Sequence, residues 1–168
     1  MPNIYLVGFM ATGKTEVAKL LARRLKRQYL DMDEVIEGRQ KLSIPEIFKS
    51  KGEPYFRSLE KEVIVELSGK DQLVVACGGG VFADLDNIQR LKNSGTVICL
   101  TSTPETILKR ASRFKNRPLL NVGDPLSRIK ELLGKRLPFY AQAHYTIDAD
   151  QLTVEETAEE ILKLLKIL

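Results

Sequence analysis

The stretch Gly8-Phe9-Met10-Ala11-Thr12-Gly13-Lys14-Thr15 decides how the rest of the chain is read. It matches G-x-x-x-x-G-K-[ST], a pattern with a physical reason at each fixed position. Gly8 and Gly13 permit a tight turn in which successive backbone N–H groups face one anion. Lys14 adds a charge that reaches the outer phosphates of a nucleotide, and the Thr15 hydroxyl suits Mg²⁺. Such a loop has to join a strand to the positive N-terminal end of a helix. Both flanks comply. Ile4-Tyr5-Leu6-Val7 is a short apolar run of the kind that forms a buried strand. Beyond the loop, Val17, Leu20, Leu21 and Leu25 recur with helical spacing, and Lys19, Arg23, Arg24, Lys26 and Arg27 fill other positions.

Outward from the loop, strand and helix patterns alternate to the end of the chain, which predicts a parallel α/β sheet. Further strands are expected at Tyr29-Leu30-Asp31, Leu73 to Ala76, Thr96 to Leu100 and Tyr145-Thr146-Ile147. Helices are expected over Asp33 to Gln40 and, from the capping box Ser43-Ile44-Pro45-Glu46, as far as Lys51. Gly52-Glu53-Pro54 reads as a break, followed by a helix over Phe56 to Leu67. Others are expected over Asp84 to Asn93, from the Thr103-Pro104 start to about Arg113, and from Asp124-Pro125 with fraying near Pro138. A second capping box, Thr153 to Glu156, opens a terminal amphipathic helix. Phe114 to Gly123 has no period and reads as a basic loop.

The composition fits one compact domain over 1–168, with 43% hydrophobic and 29% charged residues. No apolar run approaches a membrane span and no secretory leader is visible, so a cytoplasmic protein with no membrane partner is expected. The net charge of +4 is modest, Trp is absent and no basic run is interleaved with aromatics, which argues against a nucleic-acid partner. Cys77 and Cys99 are isolated and read as buried thiols in a reducing compartment. His144, the only histidine, is assigned a structural place at a strand edge.

In sheets of this kind ligands bind beyond the carboxyl ends of the strands. The residues there each admit two readings. Asp31 and Asp33 suit Mg²⁺ and a substrate hydroxyl, or are helix caps and solvated acids. Arg57 is turned toward an anion, or simply pairs with Glu60 three residues on. Gly78-Gly79-Gly80 marks close approach of backbone to a ligand, or a flexible turn. Arg110, Arg113, Lys115 and Arg117 form a lid that closes on phosphates, or a solvated loop. Arg136 is an anion holder, or a charge at a helix C-terminus.

Taken together, these motifs resemble shikimate kinase. The phosphate loop, Asp-x-Asp, Phe-Arg-x-x-Glu, Gly-Gly-Gly after an apolar strand, Arg-Pro-Leu-Leu and Arg-x-Pro-x-Tyr occur in that family's order and spacing, across essentially the whole chain. One departure is Ala11, where the family usually has a third loop glycine. The resemblance implies a five-stranded parallel sheet flanked by helices, a three-layer phosphate-loop fold like that of nucleoside monophosphate kinases. Its acceptor-binding segment would span about 32–60 and its lid about 112–124. It also implies transfer of the γ-phosphoryl group of ATP to the 3-hydroxyl of shikimate by a monomer that uses Mg²⁺. Gly8, Ala11, Thr12, Gly13, Lys14 and Thr15 would hold ATP, with Arg110 against adenine, as would part of the loop Asp148 to Leu152, and Arg117 on the phosphates. Thr15 and Asp31 would serve the metal. Asp33 would contact the ring hydroxyls as the candidate base. Arg57 and Arg136 would grip the carboxylate, and Gly78, Gly79 and Gly80 would line the acceptor. Lys14, Asp33 and Arg117 would be catalytic. The alternatives are a related small kinase for gluconate or a nucleoside monophosphate, and a nucleotide-binding module without turnover.

Overall fold

The computed structural model describes residues 2–114 and 121–167. Its centre is β1 (Asn3–Val7), in which every residue is buried. A strand covered on both faces must be apolar throughout rather than alternating, which is why Ile4 to Val7 carries no polar punctuation. Five parallel strands stand in the order β2-β3-β1-β4-β5, with β2 Gln28–Asp31, β3 Leu73–Ala76, β4 Gly95–Thr101 and β5 Tyr145–Asp148. Ile4 pairs with Val74 and Thr96, and Leu6 with Ala76 and Ile98.

The period of two along β1 divides the core. Ile4 and Leu6 pack with Val74, Ala76, Ile98 and Leu100 against α1 (Lys14–Leu25) and α8 (Val154–Leu164). Tyr5 and Val7 face the opposite way, with Val75, Val97 and Cys99. That face is covered by α4 (Glu53–Ser68) and α5 (Leu85–Ser94). Around it lie α2 (Met32–Gln40), α3 (Ile44–Lys51), α6 (Pro104–Ala111) and α7 (Pro125–Tyr140). The result is the expected three-layer arrangement. β1 and β3 are neighbours, yet the chain leaves β1 for α1 on one face and β3 for α5 on the other. Their carboxyl ends therefore open into a crevice, where ligands bind in sheets of this type.

All five expected strands are present, and the expected helices differ mainly at their ends. Gly52-Glu53-Pro54 does not separate α4 from its start. Gly52 closes α3 and opens α4 at once, and Pro54 sits in the first turn, where its missing N–H costs no hydrogen bond. Arg57 is consequently the fifth residue of α4 rather than its start, and Glu53 comes within reach of it. Nor does α7 end at Pro138. It continues to Tyr140, which is buried and bonded to Gly79. α6 stops at Ala111, short of Arg113. Between β3 and α5 lies a single 3₁₀ turn, Val81–Ala83, that the sequence pattern does not reveal. Cys77 and Cys99 are both buried and unbridged, and burial pushes both thiols up from their ordinary range. No helix among the described residues is long and apolar enough to cross a membrane.

Candidate active site

The loop after β1 turns at Gly8, where φ is +136° and a Cβ would overlap the Leu100 carbonyl oxygen of β4. Only glycine satisfies both demands. Ala11 (φ +59°) and Gly13 (φ +92°) are left-handed as well. Thr12 donates its hydroxyl to the Phe9 carbonyl at 2.8 Å and braces the turn from inside. Gly13 is the N-cap of α1 and has no side chain to occupy the helix's first N–H groups. Lys14 curls back, its Nζ donating to the Gly8 and Phe9 carbonyls at 2.8 and 2.7 Å. An ammonium, the positive end of a helix and a turn with three positive-φ residues thus converge in one place, an anion site by construction.

β2 delivers Asp31 beside this loop. Its Oδ2 accepts the Thr15 hydroxyl at 3.0 Å, and its Oδ1 accepts the N–H groups of Asp33 (2.9 Å) and Glu34 (3.3 Å). Asp31 is the cap of α2, and it also presents an oxygen next to the phosphate loop. Asp33, held in the first turn of α2, stands half-buried at the mouth of a second basin.

That basin has an apolar wall from α3 and α4, including Ile44, Phe48 and Phe56, and a charged floor of Arg57, Glu60 and Arg136. Arg57 Nη1 lies 2.7 Å from Glu60 Oε2 and Nη2 lies 3.0 Å from Glu53 Oε1, so the simple pairing with Glu60 is real and Glu53 joins it. Glu60 is 1% exposed, and burial pushes its carboxyl up to about 7 against the pull of Arg57. Arg136 Nη1 donates to the Gly79 carbonyl at 3.2 Å, and its guanidinium lies over the Phe9 ring at 5.2 Å. Tyr140, one turn further along α7, donates to the same carbonyl at 2.8 Å; burial raises its phenol to about 12, so it stays a donor.

Two of the three glycines are crowded by these neighbours, which argues for close approach rather than a plain flexible turn. A Cβ on Gly78 would sit 3.0 Å from both Asp33 Oδ1 and Glu60 Oε1, and one on Gly80 would overlap the Arg57 guanidinium. Gly79 and Gly80 line the basin, whereas Gly78 lies behind it, letting two carboxylates pass.

Two cavities result. One, of about 590 Å³, runs from Asp33 along the phosphate loop to Arg110, Arg113, Ala149 and Leu152. The other, of about 400 Å³, is the basin just described. They meet at Met10, Asp33 and Gly79, which line both. Arg110 is held edge-on by the Ser102 hydroxyl (3.2 Å) and the carbonyls of Ala149 and Asp150 (3.3 Å each). These bonds fix its guanidinium in the wall of the larger cavity. Arg117, the expected lid residue, lies outside the described residues. No cluster of three or more metal-binding side chains occurs among the described residues. His144 is remote from both cavities; its Nδ1 accepts the Val97 N–H at 3.0 Å, a structural bond at the edge of the sheet.

Sequence reasoning missed Met10 and Phe9, which had no signal beyond lying inside the loop pattern, and Glu37, which lines the basin and accepts the Ile44 N–H at 2.9 Å. Tyr140 was legible only through its spacing of one helical turn from Arg136.

A family profile described as shikimate kinase matches residues 10–166. A shikimate kinase of Thermodesulfovibrio yellowstonii is 47% identical over 163 residues, covering 97% of this chain and 94% of its own. One of Thermus thermophilus is 46% identical, covering 96% and 89%. Among solved structures, shikimate kinase from Acinetobacter baumannii in complex with shikimate superposes with a TM-score of 0.95 at 43% identity, covering 99% of this chain and 94% of that one. A gluconokinase from Sinorhizobium meliloti, at 12% identity and a TM-score of 0.64, shares the fold alone.

Proposed function

The chain belongs to the shikimate kinase family, and from that premise we propose how its residues perform the ATP-dependent phosphorylation of shikimate. This activity belongs to the pathway of aromatic amino-acid biosynthesis. The observation that carries the residue assignment is the junction of the two cavities at Asp33: an anion-binding loop on one side, a basin with two guanidinium groups on the other.

ATP lies in the larger cavity with its phosphates on the loop of Gly8, Ala11, Thr12 and Gly13. Lys14 exchanges its loop carbonyls for phosphate oxygens. Arg110 offers its face to adenine. Shikimate lies in the basin with its carboxylate on Arg136 and Arg57, a planar anion matched to guanidinium forks. Its 3-hydroxyl then points to Asp33. The hydroxyl oxygen forms a bond to the γ-phosphorus as the bond to the ADP oxygen breaks, and Asp33 receives the hydroxyl proton. Arg117, from the segment around 112–124, adds positive charge to the phosphoryl oxygens. Little covalent help is needed, since positioning and charge stabilisation supply most of the rate.

The donor set beside the loop fits Mg²⁺. The Thr15 hydroxyl and the Asp31 carboxylate are hard oxygen donors 3.0 Å apart, and Mg²⁺ keeps its other positions for phosphate and water. Thr15 and Asp31 would hold the ion. When bound, the ion offsets phosphate charge during transfer. The reading carries with it a cytoplasmic setting and a monomer, since each substrate finds its site within one copy of the chain.

The test is a panel of acceptors with purified protein and Mg·ATP, read by ADP release. Shikimate turns over, while gluconate and nucleoside monophosphates stay at background. Background rates with shikimate, or turnover of a nucleoside monophosphate, overturn the assignment.

A further inference from the structure

The far end of the larger cavity is built from Ala149, Leu152, Thr153 and Thr157, with Arg110 opposite. Ala149 and Leu152 follow β5 in a short turn that must hold its shape without regular secondary structure, and Thr153 and Thr157 belong to the start of α8. Asp148 Oδ1 accepts the Asp150 N–H at 3.0 Å and starts the turn. Asp150 then reaches across to α6. Its Oδ1 accepts both the N–H and the hydroxyl of Thr103, at 2.8 and 3.0 Å, and its Oδ2 accepts the Gln151 side-chain amide at 2.9 Å. Thr103 is the N-cap of α6. From the last turn of the same helix, Arg110 donates to the carbonyls of Ala149 and Asp150. The turn is therefore tied to α6 at both ends of the helix, and Asp150 supplies one of the two ties without itself lining the cavity.

We propose that Asp150 is a positioning residue for the nucleotide base: by clamping residues 149–152 to the start of α6, it fixes the wall against which the base packs. The inference rests on the assignment of ATP to this cavity and goes beyond it, because Asp150 touches neither the phosphate loop nor the acceptor basin. The donors around Asp150 hold its carboxyl well below the usual carboxylate range, the Thr103 N–H foremost, so the clamp is charged throughout the working pH range.

The test separates the base from the phosphates. Calorimetry with ADP and, in parallel, with inorganic tripolyphosphate is run on the unaltered chain, Asp150→Ala and Asp150→Asn. Tripolyphosphate engages the loop alone and serves as the control for folding. Asp150→Ala is expected to weaken ADP about five- to tenfold, the loss of roughly one charge-assisted hydrogen bond, with tripolyphosphate affinity unchanged. Asp150→Asn keeps an acceptor for the Thr103 N–H and restores most of the ADP affinity. Unchanged ADP affinity in Asp150→Ala overturns the proposal, as does an equal loss for tripolyphosphate or a failure of Asn to rescue. None of these measurements contains an acceptor, so a failure of the shikimate assignment shows up separately, in the turnover of the unaltered chain.

Discussion

Arg57 and Glu60 face one another across 2.7 Å on the floor of the smaller basin, and the carboxylate is the member of the pair sealed from water. Burial pushes Glu60 up to about 7. A carboxyl raised on folding contributes stability that is complete below its unfolded value of 4.5 and fades as the pH climbs through about 7. Glu60→Gln removes the titration and keeps an oxygen for Arg57. The stability of the unaltered chain relative to this variant should fall between pH 4.5 and 7, by at most about 1.4 kcal/mol per pH unit. Urea midpoints at several pH values measure it. A difference that grows with pH in favour of Glu60 would show that the ion pair outweighs burial.

The two arginines of the basin should not be equivalent. Arg57 already has Glu60 and Glu53 as partners. Arg136 has the Gly79 carbonyl and the Phe9 face, and among the described residues no carboxylate lies within ion-pair distance of it. Its charge is therefore the less compensated of the two when an anion arrives. Arg136→Ala should raise KM for shikimate about 10- to 100-fold, the cost of losing hydrogen bonds to a charged group. KM for ATP should change little. Arg57→Ala should raise KM for shikimate less but lower Tm more, because it leaves Glu60 buried and unpaired. Steady-state kinetics in both substrates together with thermal melts distinguish the two, and a larger KM effect for Arg57→Ala would refute the ranking.

This asymmetry marks the boundary of what the sequence discloses. The middle of the sheet was readable because its inner strands are buried on both faces, and Leu73 to Ala76 and Ile4 to Val7 announce that as unbroken apolar runs. The phosphate loop was readable because its requirements lie within eight consecutive residues. Helix ends such as Pro54 and Pro138 misled, since proline acts against a helix only where an N–H is needed and packing does not compensate. The environment of Glu60 could not be read locally at all. It depends on Gly78 from a different element leaving room for two carboxylates, a fact that exists only once β3 and α4 are packed.

Gly8 and Ala11 lie in the same loop, both at positive φ, yet they should respond very unequally to a change of one methyl group. Gly8→Ala drives a Cβ into the Leu100 carbonyl and should abolish nucleotide binding or folding. Ala11→Gly relieves a left-handed alanine, which costs about 1 kcal/mol. It also adds about 0.4–1 kcal/mol of unfolded-state entropy. The net effect should stay within about 0.5 kcal/mol, with KM for ATP within about twofold. Ala11→Val, β-branched at positive φ, should instead destabilise by more than about 1 kcal/mol. Denaturant midpoints for the three variants check the order. A strongly destabilised Ala11→Gly would mean that the alanine methyl makes contacts the loop needs.

His144 should give a pH dependence of the opposite sign to Glu60, from the other end of the sheet. Its backbone N–H donates to the Val97 carbonyl and its Nδ1 accepts the Val97 N–H, so the imidazole has to be unprotonated at Nδ1 to serve. Burial, then the Lys92 charge, lowers its pKa from the ordinary 6.5. A group lowered on folding contributes stability that is complete above its unfolded value and is lost as the pH falls through the folded one. His144→Ala leaves the Val97 N–H without that acceptor and should cost about 1 kcal/mol at pH 8. The cost should shrink as the pH drops below 6.5, while kcat and both KM values hold, because His144 lines neither substrate cavity. Comparing the urea midpoints of the variant and the unaltered chain at pH 8 and pH 5 tests this. A gap that is constant between the two would show that the Nδ1 bond does not govern the acid side of the stability curve.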